Sequence, residues 1–225
     1  MPDREKKSLL DCASGPIQYP EYLEYSRAFA KRVCVDFSEE ALKAAKTNLA
    51  MDSEDGCVAI CADFLDIELP EKVDAAISLH TLYHVQLERQ KEFVDKLIAA
   101  TAPNGVIIVV YSNPLSLRSV MRVPVAAVTH VYRVVRSHWR GGAGKPSEIY
   151  CKRHRRGWWK QFEVHGRVSL SSYRFFTPPF EKAAIPDSKL GEWIYRTLFR
   201  IEETRLSVPF VDHYIVVIRK GSLGV

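Results

Sequence analysis

The chain alternates short apolar runs with segments in which apolar residues recur at helical spacing. In the first half, five apolar runs predict strands at about 9–10, 33–35, 57–62, 73–79 and 106–111. Helical periodicity is clearest at about 39–50 and 86–100, between successive runs. Strands that alternate with helices in this way predict an α/β fold with a doubly wound, mainly parallel sheet.

The last third of the chain is less regular. Its pattern predicts two further strands at about 164–170 and 211–219, and helical segments at about 115–137, 158–162 and 188–203. A chain of 225 residues is large enough for one sizeable core. We therefore expect a single domain over residues 1–225, with a helical insertion at about 114–160.

Polar residues stand at the ends of four predicted strands: Asp11, Asp36, Asp63 and His80. Because the carboxyl ends of parallel strands meet at one edge of a sheet, we expect these side chains to line one crevice. Ligands of doubly wound sheets bind at that edge. The pattern therefore predicts a binding site formed by several strand ends.

The first strand, the following helix and the second strand have the layout of a nucleotide-binding unit. Small residues at 12–15, including Gly15, form a loop against which a ligand can lie closely. Asp36 follows roughly 20 residues later, where an acid accepts hydrogen bonds from two vicinal ribose hydroxyls. This unit predicts a cofactor of the adenosine type.

Several segments, in this chain order, resemble the motifs of class I S-adenosylmethionine (SAM)-dependent methyltransferases: LLDCASGP, VCVDFSEEALKAAK, CADFLDIELP, VDAAISLHTLYHV, APNGVIIVVYS and DHYIVVIRK. The resemblance covers nearly the whole chain. It implies a Rossmann-like methyltransferase fold with seven strands in the order 3-2-1-4-5-7-6, the last of them antiparallel. It also implies that the protein is an enzyme whose cofactor is SAM.

The resemblance implies a set of cofactor-binding residues: Asp11, Ala13, Ser14, Gly15, Asp36, Phe37, Asp63, Phe64, Leu79 and His80. Asp11 is expected to act indirectly, through water or loop amides. The chain departs from the motif at Ala13 and Ile17, where the family carries glycines. Few residues precede the first strand, so a cover for the cofactor is expected from the insertion or from a partner subunit in a homodimer, unless the chain is truncated.

Three residues after the fourth strand are candidates for catalysis: His80, Tyr83 and His84. Methyl transfer requires that the acceptor atom be held against the methyl carbon and, for a hydroxyl acceptor, that a base take its proton. Histidine titrates in the range suited to a general base. The alternatives are structural, with His84 packed under the sheet edge and Tyr83 in the core. We expect methylation at oxygen rather than nitrogen.

The charge of the chain is uneven. The net charge is +5, yet residues 114–160 hold eleven Lys and Arg and a single acid, Glu148. A solvated lid, a site for an anionic small-molecule acceptor, and a surface for nucleic acid or membrane remain open as interpretations. The last is suggested by Lys152–Arg156 beside Trp158–Trp159, because cations bind phosphates and aromatic rings stack on bases.

The remaining features favour a cytoplasmic location. The N-terminal segment MPDREKKS is charged and contains no apolar signal region. Five cysteines, an odd number, are expected to be reduced, and Cys57 and Cys61 lack a second pair of ligands for a metal site. The sequence therefore predicts a methyltransferase acting on a small-molecule acceptor. The rivals are a methyltransferase for nucleic acid or a membrane-surface substrate, and a non-catalytic cofactor-binding protein.

Overall fold

Seven strands form one mixed sheet. Their bounds are β1 Ser8–Cys12, β2 Lys31–Asp36, β3 Cys57–Cys61, β4 Val73–Leu79, β5 Thr101–Ser112, β6 Gly166–Arg174 and β7 His213–Lys220. The structure, a computed structural model, describes residues 7–49, 56–120, 150–176, 181, 185–202, 204 and 207–221. The strand order is β3-β2-β1-β4-β5-β7-β6, which confirms the predicted order.

Four α-helices have bounds within the described ranges: α1 Pro20–Glu24, α2 Glu39–Leu49, α3 Gln90–Ala100 and α4 Lys189–Glu202; residues 117–120 are also helical. Short 3₁₀ segments occupy Tyr25–Ala28, Phe64–Asp66, Leu82–His84, Leu87–Arg89 and Arg156–His165. The α2 helix begins where expected, because the Ser38 hydroxyl accepts a hydrogen bond from the Ala41 N–H at 3.1 Å. None of the described helices is long and apolar enough to cross a membrane.

The strand directions bring functional positions to one edge. The first five strands pair in parallel, whereas β7 is antiparallel to both β5 and β6. Because β7 runs backwards, its first residue lies beside the carboxyl ends of its neighbours. His213 accordingly pairs with Ser112 at the end of β5 and with Arg174 at the end of β6.

Both faces of the sheet are covered, as expected for parallel strands. Leu9 and Leu10 are neighbours on β1, yet they pack into different apolar clusters because successive side chains point to opposite faces. One face packs against the inward residues of α3: Phe93, Val94, Leu97 and Ile98. The other packs against residues of α2. All five cysteines are free thiols.

The structure differs from the sequence pattern in two places. Residues 103–105, which the sequence predicts to be a turn before the strand at 106–111, form a bulge within β5, because Thr101 pairs with Val73 and the next paired residue is Val106. The segment between the first two strands, which the sequence predicts to be helical to about residue 29, is the short α1 followed by a 3₁₀ segment. Most of the helix expected at about 115–137, and most of the insertion, lies outside the described residues, which resume at Tyr150.

A buried ion pair joins the first two strands and α1. Arg32 on β2 has no exposed surface, and its guanidinium donates to the Asp11 carboxylate on β1. It also donates to the Tyr22 carbonyl and the Tyr25 hydroxyl, each at 2.9 Å. Burial raises the pKa of Asp11, and the facing guanidinium opposes that rise. The arrangement fixes α1 against the start of the sheet.

Replacing Arg32 tests this interaction. We expect Arg32→Met to lower the free energy of unfolding by about 3–5 kcal/mol at pH 7, because it leaves the Asp11 carboxylate buried without its partner. The unpaired carboxyl then binds a proton at a higher pH in the folded than in the unfolded chain, so the loss should shrink as the pH falls. Urea unfolding measures both effects.

The matched control is Lys31→Met on the same strand. Lys31 makes only a long, exposed ion pair with Glu71, 3.9 Å between Nζ and Oε2, and such pairs contribute about 0–1 kcal/mol. Equal losses in the two variants would contradict a special role for the buried pair.

Candidate active site

The loop after β1 adopts an unusual backbone. Ala13, Gly15 and Ile17 all have positive φ angles, of 58°, 57° and 49°. Glycine adopts this conformation without penalty, whereas a residue with a Cβ is strained there. Ala13 and Ile17 thus keep the backbone shape of a glycine-rich loop without the glycines. Backbone N–H groups of Ala13 and Ser14 donate to the Val35 carbonyl, which holds the loop against β2.

Two carboxylates at neighbouring strand ends border one cavity. The Asp36 carboxylate at the end of β2 accepts hydrogen bonds from the Gly15 N–H at 2.9 Å and the Ser38 N–H at 3.0 Å. The Asp63 carboxylate after β3 accepts one from the Leu65 N–H at 2.8 Å. Both residues line a cavity of about 230 Å³. The structure therefore brings together the two acids that the sequence placed at strand ends.

Aromatic side chains complete the wall of this cavity. Phe37 lines it and is 71% exposed, so a flat ligand can pack against its ring. Phe64 also lines it but is buried, with its ring edge to face with Phe93 at 5.2 Å between centroids. The predicted loop residue Ala13 is a third lining residue. This side of the site combines carboxylates, an apolar wall and close backbone, which suits a nucleoside.

The other predicted cofactor residues take different positions. Asp11 is buried on β1, just before the loop, and is paired with Arg32. Ser14 and Gly15 lie in the loop, where the Ser14 hydroxyl donates to the Gly15 carbonyl at 3.3 Å. Leu79, the last residue of β4, packs against the apolar cluster of Leu9, Ala75 and Ile77. None of these four side chains lines the cavity bordered by Asp36.

His80 belongs to a second group of side chains, at the end of β4. Its Nδ1 lies 3.3 Å from the Tyr83 hydroxyl. Its ring contacts Tyr173 of β6 and His213 of β7, with centroids 5.5 and 5.0 Å away. Burial lowers the pKa of His80, and the charges of Arg174 and His84 lower it further. The imidazole is therefore neutral at physiological pH.

His213 is a member of this group that sequence reasoning missed. Burial lowers its pKa to about 4, with His80 and two arginines, Arg118 and Arg174, adding to the effect and Asp212 opposing it. The available signal was a histidine at the start of the segment assigned to the antiparallel last strand. The rule that polar residues at the carboxyl ends of parallel strands line the site does not select His213, because it begins an antiparallel strand.

His84 lies on the cofactor side of the site. It lines the same cavity as Asp36 and Asp63, and its Nδ1 is 2.8 Å from the Tyr150 carbonyl oxygen. The Tyr150 hydroxyl in turn accepts a hydrogen bond from the Leu87 N–H. These contacts attach the described end of the insertion to the loop after β4. They give His84 a structural role in addition to its place on the cavity.

The aromatic residues of the basic cluster are largely occupied by packing. Trp159 is fully buried, and its indole N–H donates to the Tyr214 hydroxyl at 3.0 Å. Trp158 stacks on His154 with the ring planes 2° apart. Arg153 points back to the sheet and donates to the Ser112 hydroxyl at 3.2 Å. Trp159 is therefore not available to stack on bases.

In the described ranges, no group of three or more His, Cys, Asp or Glu residues forms a metal site.

Comparison with known proteins gives a family likeness for part of the chain. Residues 10–109, less than half of it, match a family model described as a methyltransferase domain. The sheet order and the antiparallel last strand are those of the class I methyltransferase fold. Residues 10–109 are therefore similar to a methyltransferase domain, and the described sheet has the fold of that class. No curated protein matches the sequence.

Solved structures agree in fold. SibL, a SAM-dependent methyltransferase in its apo form, superposes with a TM-score of 0.55 at 16% identity over 96% of this chain and 51% of SibL. DhpI in complex with S-adenosylhomocysteine (SAH) gives 0.54 at 16% identity, over 96% of this chain and 77% of DhpI. A putative methyltransferase in complex with the Haloferax volcanii Trm112 activator superposes with a TM-score of 0.56 at 14% identity, over 98% of this chain and 85% of that protein. This chain spans about half the length of SibL.

The strained loop provides a stability test. We expect Ala13→Gly to raise the free energy of unfolding by about 1 kcal/mol, because glycine adopts the positive φ without the steric cost. The control is Ala44→Gly in α2, which should lower it by about 1 kcal/mol, since glycine weakens a helix. Thermal and urea unfolding of both variants measure the sign of the change in the free energy of unfolding. A loss at Ala13 as large as at Ala44 would contradict the left-handed backbone.

Proposed function

We propose that this protein transfers a methyl group from SAM to a small-molecule acceptor, at a hydroxyl oxygen rather than a nitrogen. One observation carries the proposal: Asp36 and Asp63 border one cavity, and the neutral His80 group stands at the end of β4 on the same edge. The cavity with its two carboxylates suits an adenosyl group. The His80 group suits an acceptor that must lose a proton.

The residues present fit the adenosyl part of SAM. Each carboxylate oxygen has two lone pairs, so Asp36 retains acceptor capacity for ribose hydroxyls beyond its two backbone contacts. Asp63 in the same way retains capacity for the exocyclic amine of adenine. The exposed Phe37 and the buried Phe64 offer apolar surfaces for the base. When bound, SAM supplies a methyl carbon activated by its bond to a sulfonium, whose electron pair stays on sulfur when that bond breaks.

The His80 group supports a hydroxyl acceptor. A neutral imidazole accepts a proton, whereas an amine acceptor that is already unprotonated needs no base before methyl transfer. Arg153 and Arg174 add positive charge at this end of the sheet, and both act on the titration of the group: Arg153 on Tyr83 and Arg174 on His80. An acceptor that carries an anionic substituent suits this charge.

The rival functions have less support. The burial of Trp159 removes one of the two rings that suggested a base-stacking surface. A non-catalytic protein of this fold is distinguished by cofactor binding, since a degenerate site does not bind SAH. Calorimetry with SAH on the intact chain is the first experiment. Absence of binding would contradict the methyltransferase proposal.

The Asp36 carboxylate should carry part of the cofactor affinity. We expect Asp36→Asn to weaken SAH binding by about 10- to 100-fold, since hydrogen bonds to a charged group contribute about 1.5–3 kcal/mol each. Glu40→Gln, which removes an exposed carboxylate four residues further on, is the control and should leave the affinity within about twofold. Calorimetry measures both. Equal affinities for Asp36→Asn and wild type would refute the assignment.

A further inference from the structure

We propose that His213 is the catalytic base of this site, taking the proton of the acceptor hydroxyl at Nδ1, while His80 serves as a hydrogen-bond donor beside it. The proposal rests on the methyl-transfer function proposed above. It adds a residue that lies outside the predicted set of site residues, and it gives the two histidines different roles.

The position of His213 follows from the topology. It is the first residue of β7 and pairs with Ser112 and Arg174, which lie at the carboxyl ends of β5 and β6. Its ring meets the His80 ring edge to face at 5.0 Å between centroids, and it lies 6.2 Å from the Tyr83 ring. Residues from β4, β6 and β7 thus converge at one point of the sheet edge.

The hydrogen bonding of the two histidines differs. Tyr83 stays protonated, because burial raises its pKa to about 12, and we assign its hydroxyl as the donor to Nδ1 of His80, 3.3 Å away. His80 is neutral, so with Nδ1 as acceptor its proton is on Nε2. His80 therefore has a donor to offer and no free lone pair. It is suited to orient an acceptor oxygen and not to deprotonate it.

The hydrogen bonding of His213 is the opposite of that of His80. Its Nδ1 is buried and has no hydrogen-bond partner among the residues that the structure describes, which is uncommon for a buried polar atom and calls for an explanation. An unprotonated Nδ1 is the less costly state, because buried N–H donors without a partner are rarer than buried acceptors without one. A hydroxyl that reaches this atom supplies the missing partner. The same contact puts the proton where an imidazole can take it.

The surrounding charges keep His213 unprotonated before the acceptor binds. The groups that act on it are His80 from the loop after β4, Arg174 from β6, Arg118 after β5, and the adjacent Asp212. Asp212 is itself paired with Arg118, 2.6 Å between Oδ2 and Nε, so positive charge dominates. An anionic substituent on the acceptor, placed beside Arg174, would offset that charge and strengthen the base once the acceptor has bound.

As the acceptor oxygen forms its bond to the methyl carbon, the C–S electron pair stays on sulfur and the O–H proton passes to Nδ1 of His213. The resulting imidazolium is destabilised by its burial and by Arg174, so it returns the proton to water after product release.

The first test is nuclear magnetic resonance of the intact chain with labelled histidine. We expect the ring signals of His213 and His80 to shift on addition of SAH and to shift differently with SAM, whose sulfonium adds a positive charge nearby. His165, an exposed histidine at the end of the 3₁₀ segment before β6, should not shift. Identical His213 signals with SAM and SAH would overturn the proposal. Failure of either compound to bind would instead refute the proposed function.

The second test measures methyl transfer. The probe is SAM with a labelled methyl group, incubated with the small-molecule fraction of a cell extract. We expect His213→Gln to transfer label at least about 100-fold more slowly than wild type, with SAH affinity within about twofold, and His165→Gln to match wild type. An active wild type with an equally active His213→Gln would overturn the inference. A wild type that binds SAH yet transfers no label would refute the proposed function.

The pH profile separates a base from a merely structural residue. In the wild type, transfer should be constant from about pH 6 to 8 and fall at lower pH as His213 becomes protonated, because its pKa is about 4 before the acceptor binds. In His213→Gln the fall in the rate of transfer at low pH should disappear. The same fall in rate at low pH in the variant and in the wild type would contradict the role of His213 as base.

Discussion

The buried guanidinium of Arg32 is the interaction on which the cofactor side of this protein depends. It connects β1, β2 and α1 through Asp11, the Tyr22 carbonyl and the Tyr25 hydroxyl. A charge with no exposed surface requires partners, and these three satisfy it in one geometry. The orientation of β1 relative to α1 is therefore fixed, and the loop between them has little freedom to relax.

That rigidity explains how the loop tolerates its sequence. Ala13 and Ile17 hold a left-handed backbone that costs free energy at each position. The conformation is maintained by backbone hydrogen bonds to Val35, by the Asp36 carboxylate, and by the burial of the Ile17 side chain in the cluster under α2. Asp36 thus serves twice, since it orders the loop and faces the cavity. Strain of this kind at a binding site persists only when the surroundings determine it fully.

The sequence predicted what depends on regular alternation. Asp36 and Asp63 could be placed because parallel strands end at one edge, and the strand order followed from the family resemblance. The Arg32–Asp11 pair could not be predicted, because a cation in a strand normally indicates a solvated face. The bulge before Val106 depends on a register shift that has no periodic signal. Trp159 was ambiguous for a similar reason, since its sequence context is basic while its contacts are in the core.

The reversed direction of β7 has a consequence for how such a protein can change its substrate. The peptide that leads into His213, from Ser207 to Asp212, belongs to neither the loop after β1 nor the strands that hold Asp36 and Asp63. On the mechanism proposed above, exchanges at Phe210, which is exposed in that peptide, would alter the surroundings of the reacting oxygen while the donor pocket keeps its shape. A library diversified at that position is thus a direct route to altered selectivity.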